Sequence, residues 1–84
     1  MKREWNVTDG MGNMHHITYK AGGFGGAKYI IDNDTYKCKS KNWFVMLADV
    51  QISMPGADCN LVVVGNSVRL AVNGTYLDDG TPYE

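Results

Sequence analysis

His15-His16 is the pair best suited to chemistry in this chain, because imidazole exchanges a proton near neutral pH and is the commonest nitrogen ligand of metals. Neighbouring residues of an extended strand point to opposite faces. The two rings therefore do not close on one metal from a single strand, and a metal site needs one of them plus Cys38 or Cys59 from elsewhere. Cys38 and Cys59 show no Cys-x-x-Cys spacing, so they supply no zinc framework. Asp32-Asn33-Asp34 has the opening residues of an oxygen-ligand loop, but Thr35-Tyr36-Lys37 does not continue it toward a distal glutamate. The triplet reads as a turn, where Asn and Asp tolerate positive φ. Gly22-Gly23-Phe24-Gly25-Gly26 would suit a phosphate cradle only if it led into a helix through Gly-Lys-Ser/Thr; it leads into a strand instead. Asp78-Asp79 reads as a solvated pair. No catalytic set, metal site or cofactor is expected, and the chain reads as a non-enzyme.

What remains is a set of side chains suited to contact. Phe24 is a large apolar residue between glycines that cannot bury it, which makes its loop either a lid on the end of the fold or a contact element. Lys37, Lys39 and Lys41 alternate with Tyr36, Cys38 and Ser40, so all three ammonium groups project from one side of one strand. Such a stripe binds anions or guards an exposed edge against pairing with another chain. Trp43 and Phe44 are consecutive and must point apart; alternation with Met46 places Phe44 inside and Trp43 outside. Phe24, Lys37, Lys39, Lys41 and Trp43 are thus the candidate interaction surface. The expected partner is a protein, or a second copy, met through the Phe24 loop or a sheet edge. A second reading takes Trp5, Trp43, Tyr19, Tyr29 and Tyr76 as rings that stack on a sugar or small ligand.

The elements that must carry these residues are strands. Val68, Leu70 and Val72 fall on one face of a run that Asn73-Gly74 separates from Thr75-Tyr76-Leu77, and Asn-Gly between alternating runs is the strongest short-range hairpin signal. Further strands are expected over residues 5–8, 14–20, 27–32, 35–39, 43–47, 50–54 and 59–64. The turns between them include Asp9-Gly10, Asn33-Asp34, Ala48-Asp49, Pro55-Gly56 and Gly65-Asn66. No stretch keeps a helical period. About seven to eight strands at this spacing predict an all-β protein, an antiparallel β-sandwich or flattened small barrel. The expected core is Trp5, Val7, Ile17, Tyr19, Tyr29, Ile31, Tyr36, Phe44, Met46, Val50, Ile52, Leu61, Val63, Val68, Leu70 and Val72. Residues 1–77 form the expected single domain, and residues 78–84 a polar tail that frays.

The 84 residues suit one domain, and a composition of 44% hydrophobic and 20% charged residues fits a globular chain rather than a disordered one. A net charge of −1 speaks against nucleic acid as a partner. No apolar run follows the first residues, so no signal peptide or membrane span is expected, no membrane partner, and a cytoplasmic location with both cysteines reduced.

Strung along the chain, Trp5-Asn6-Val7, His15-His16-Ile17, the loop from Gly22 to Gly26, Ile30-Ile31-Asp32, Val50-Gln51-Ile52, Cys59-Asn60-Leu61 and Leu70-Ala71-Val72-Asn73-Gly74 resemble the β-sandwich domain of the Fas apoptotic inhibitory molecule family. The chain departs from that pattern in lacking the glycine expected at Asp32-Asn33-Asp34, and it has one domain where the family typically has two. The resemblance implies a non-enzymatic interaction module and transfers no catalytic residue.

Overall fold

Alternation in twos decides the architecture. The computed structural model of the chain describes residues 1–22 and 26–83 and is all-β, with no helix among those residues. Eight strands form two antiparallel sheets, each a simple meander. The first contains β1 (Lys2–Thr8), β2 (Met14–Lys20), β3 (Lys28–Ile31) and β4 (Asp34–Lys37). The second contains β5 (Leu47–Met54), β6 (Ala57–Val64), β7 (Ser67–Val72) and β8 (Thr75–Tyr76). Within each sheet, connections of two to seven residues leave each strand beside its sequence neighbour, too short for a crossover to a parallel partner.

Turn chemistry fixes the registers. At Asn73-Gly74 both residues take positive φ, 50° and 83°, as a type I′ turn requires, and Val72 pairs with Thr75 across it. Pro55-Gly56 joins β5 to β6 directly, Met54 pairing with Ala57. Gly56 also lies against Gly10 of the β1–β2 loop. A Cβ on Gly10 would stand 2.9 Å from the Gly56 Cα, and the Gly10 N–H donates to the Pro55 carbonyl at 2.7 Å, so the two sheets are tied together there by backbone alone.

One apolar cluster draws on both sheets. Trp5, Val7, Ile17 and Tyr19 come from the first, and Ala48, Ile52, Met54, Ala57, Cys59, Leu61, Val63, Val68 and Leu70 from the second, with Cys38 between them. Tyr29, Ile31, Met46, Val50 and Val72 are partly buried against it. The cysteines act as small apolar fillers: both are free and buried, and burial pushes each thiol pKa up.

Three expectations about strands and core fail. No strand forms over residues 43–46, where the chain bends, and Phe44 is 95% exposed rather than part of the core. Strand β5 begins only at Leu47 and runs straight through Ala48-Asp49, because Ala48, Val50, Ile52 and Met54 make one inward-facing row. Tyr36 does occupy the inward register opposite Tyr29, on which it stacks at 5.2 Å, but β4 is an edge strand and leaves it 45% exposed.

The C-terminal segment, expected to fray, is instead fastened across the outer side of the second sheet. Thr75 bridges to Pro82, the Tyr83 N–H donates to the Gly74 carbonyl, and the Tyr83 hydroxyl bonds Asp49. Arg69 lies 3.6 Å from the Tyr76 ring and donates to Asp79 and Thr81. Polar as it is, the tail contains the partners for an arginine and an aspartate of the sheet. No helix among the described residues is long and apolar enough to cross a membrane.

Candidate interaction surface

The segment between the sheets, from Lys39 to Met46, owes its shape to two short polar side chains. Ser40 Oγ donates to the Asn42 carbonyl at 2.8 Å or the Val45 carbonyl at 2.9 Å, and accepts the Leu47 N–H at 3.0 Å. Asn42 Oδ1 accepts the Phe44 N–H at 2.8 Å. Ser and Asn compete in this way with a strand ladder for the backbone, and here they win. The closed loop is joined to β5 by Lys41 N–H donating to the Leu47 carbonyl at 2.6 Å, and to the β6–β7 turn by Gly65 N–H donating to the Met46 carbonyl at 2.7 Å.

Its tip carries Trp43, 98% exposed, and Phe44, with the exposed Val45 beside them. Leu47 and Val64, paired across β5 and β6 and both exposed, extend the apolar surface onto the outer face of the second sheet. Apolar residues scattered singly over a surface are ordinary; two aromatic rings and three aliphatic side chains gathered at one loop are not.

Trp43 lies outside as expected, whereas Phe44 joins it because no strand alternation operates there. Lys37 ends β4, and Lys39 and Lys41 lie beyond it in the loop, so the three lysines do not share one strand. Phe24 lies outside the described residues. Of the other aromatic residues with rings suited to stacking, Trp5 and Tyr19 are buried in the core and Tyr29 is partly buried.

A second polar constellation was not evident from the sequence. His15 sits between two carboxylates: Nε2 is 2.8 Å from Asp9 Oδ2 and Nδ1 is 2.9 Å from Asp32 Oδ2. Ionised carboxylates only accept, so this arrangement favours the protonated ring, in which both nitrogens donate. The bonds to Asp32 and then Asp9 hold the His15 pKa above its ordinary value, and the same bonds lower both carboxyl pKa values. Asp9, its side chain 2% exposed, also accepts the N–H groups of Met11 at 2.8 Å and Asn13 at 3.0 Å, while Asp32 accepts the His16 N–H at 3.1 Å. Asp32 holds a φ of 56° in a turn centred on Asp32-Asn33, one residue before the expected Asn33-Asp34, since Ile31 pairs with Asp34 across it. His16, on the opposite face, bonds Asn6 at 2.8 Å and Glu4 at 3.0 Å. The two histidines thus part to opposite faces and neither meets a cysteine. No group of three metal-ligating side chains suited to an ion occurs among the described residues. With both ring nitrogens engaged, the cluster acts as a rivet between the β1–β2 and β3–β4 turns.

Pairing registers create a third arrangement. Lys2 pairs with Lys20, Lys20 with Lys28, and Lys28 with Lys37, so four lysines stand in one rank across all four strands of the first sheet. Buried Trp5, Ile17 and Tyr19 mark the inner face, which puts this rank on the outer one. No pocket is present among the described residues.

No protein-family model, curated protein or solved structure matches this chain.

Proposed function

We propose that the protein is a non-enzymatic interaction module that docks a protein partner through the loop carrying Trp43 and Phe44. The observation that carries this reading is the nearly complete exposure of two adjacent aromatic rings on a loop closed by its own side-chain hydrogen bonds. A loop backbone fixed before contact loses little freedom on binding, and large aromatic residues dominate binding energy at interfaces. The engaged nitrogens of His15 support the non-enzymatic part, since the most acid–base-competent group of the chain already serves the fold. Under this reading the two sheets form a β-sandwich of the kind that the resemblance to the Fas apoptotic inhibitory molecule family implies, and the protein acts in the cytoplasm. Tagged wild-type protein and the Trp43→Ala/Phe44→Ala variant test the proposal on one host extract. Proteins captured by the first and lost from the second are expected; identical captured sets contradict it.

Exposure of Trp43 beside Lys41 and Asn42 also favours a second reading, in which that ring stacks on a sugar. Titration with a panel of oligosaccharides, followed by tryptophan emission, decides it. A saturable change abolished by Trp43→Ala supports the sugar reading, and no change with any glycan removes it.

A further inference from the structure

The rank of lysines Lys2, Lys20, Lys28 and Lys37 stands on the outer face of the first sheet, away from the tail-covered outer face of the second. Adjacent strands lie about 4.8 Å apart, so the four Cα atoms span about 14 Å in a line perpendicular to the strands. Like charges placed directly opposite one another cost stability, and here three such pairs occur in succession. Edge protection accounts for Lys2 on β1 and Lys37 on β4. It gives no reason for Lys20 and Lys28, which stand on the two central strands where no edge needs guarding. Relief from neighbouring acids is slight. Among the described residues the only ion pair of the rank is Lys2 with Glu4 at 3.8 Å, and the next rank along the same face is Glu4, Thr18, Ile30 and Thr35.

The near-neutral total hides this concentration. Of the eight Lys and Arg residues only Arg3 and Arg69 are arginines, and the two remaining lysines, Lys39 and Lys41, follow directly on the rank from Lys37. Apart from Glu4, the acids among the described residues lie elsewhere: Asp9, Asp32 and Asp34 at the far end of the same sheet, and Asp49, Asp58, Asp78 and Asp79 in the second half of the chain.

We infer that this face of the first sheet docks on an anionic lipid bilayer, through the lysine rank and independently of the Trp43 loop. The face offers no pocket among the described residues, and mobile headgroups can gather to a row of cations without any complementary shape. A protein partner is less well matched, because lysine is depleted at protein interfaces. Single-stranded nucleic acid is less well matched too, since no aromatic ring stands with the rank to stack a base. Attraction of this kind depends on every lysine near the surface and weakens with salt.

The test sediments the full chain with vesicles of phosphatidylcholine alone, or with about 30% phosphatidylserine, in about 0.1 M salt. Binding is expected to the anionic vesicles only, and to disappear in about 1 M salt, where the Debye length falls to about 3 Å. Lys20→Gln/Lys28→Gln should weaken it roughly 10–30-fold, and Lys20→Arg/Lys28→Arg should keep it, because charge rather than lysine geometry is what the bilayer meets. Equal binding to neutral vesicles, no binding to anionic ones, or full binding by the Gln variant overturns the inference. So does tighter binding of poly-L-glutamate or an oligonucleotide than of anionic vesicles, which would give the face to an acidic protein or a nucleic acid. Should the Gln variant fail to fold, the salt series and the Arg variant decide the matter on folded protein.

Discussion

The two ends of the first sheet handle charge in opposite ways. At the end where β1 meets β2 and β3 meets β4 through their turns, Asp9, His15 and Asp32 bind one another at 2.8–2.9 Å, opposite charges side by side. At the other end four lysines face each other in register, and among the described residues only Lys2 has an ion pair, with Glu4 at 3.8 Å. Internal satisfaction marks charges kept for the fold; tolerated repulsion marks charges kept for something outside it. The loop that follows Lys37 repeats the second pattern in apolar form, exposing Trp43 and Phe44 while its polar groups are satisfied within.

Both ends depend on the shared core, so Leu70→Ala sets the scale. Leu70 is fully buried mid-strand, and its truncation is expected to cost roughly 2–5 kcal/mol, more than any change at either end of the sheet. Chemical denaturation checks it, and an unchanged midpoint would show that the core does not rest on β7.

Asp9→Ala comes next. It removes one partner of the imidazolium and the acceptor of two backbone N–H groups, so thermal denaturation should show a Tm several degrees lower. A Tm equal to wild type would mean that the rivet contributes nothing.

The pH dependence sharpens the same contrast. The His15 pKa is raised by folding, so its contribution is complete below the ordinary histidine value of about 6.5 and is lost as pH climbs through the raised folded value. Asp9 and Asp32 are lowered, so theirs is complete above the ordinary value of about 4 and is lost as pH falls through the lowered folded values. Stability is expected to be greatest between those two limits, and His15→Gln should flatten the decline on the alkaline side. A variant that keeps the wild-type alkaline slope would place the responsible group elsewhere.

At the basic end the sign reverses. Lys20→Gln/Lys28→Gln relieves two central like charges and should leave Tm unchanged or slightly raised, in contrast to the loss at Asp9. A clear drop in Tm would make the rank a structural feature and erase the difference between the ends.

Much of the fold was legible because strand alternation and turn residues are local. Asn73-Gly74 announced its hairpin, Pro55-Gly56 its turn, and Ile17, Leu61, Val63 and Leu70 their burial. The loop at residues 43–46 was not legible. Its apolar residues fit a strand, and only the hydrogen bonds of Ser40 and Asn42, which depend on the folded path of the chain, divert them. Asp9, His15 and Asp32 come from three segments and meet only through pairing of Val7 with His15 and Ile17 with Ile31. The lysine rank does leave a signal in the sequence. A lysine stands at the start of β1, the end of β2, the start of β3 and the end of β4, and a meander brings those four positions to one end.

A contact element at the 43–46 loop requires, above all, that the isolated chain offer Trp43 to solvent. Trp5, the only other tryptophan, is buried in the core, so the Trp5→Phe variant leaves Trp43 as the sole emitter. In dilute solution its emission should be red-shifted and readily quenched by acrylamide. A blue-shifted emission shielded from the quencher would mean that the ring is covered by the fold itself, and no such contact element would exist.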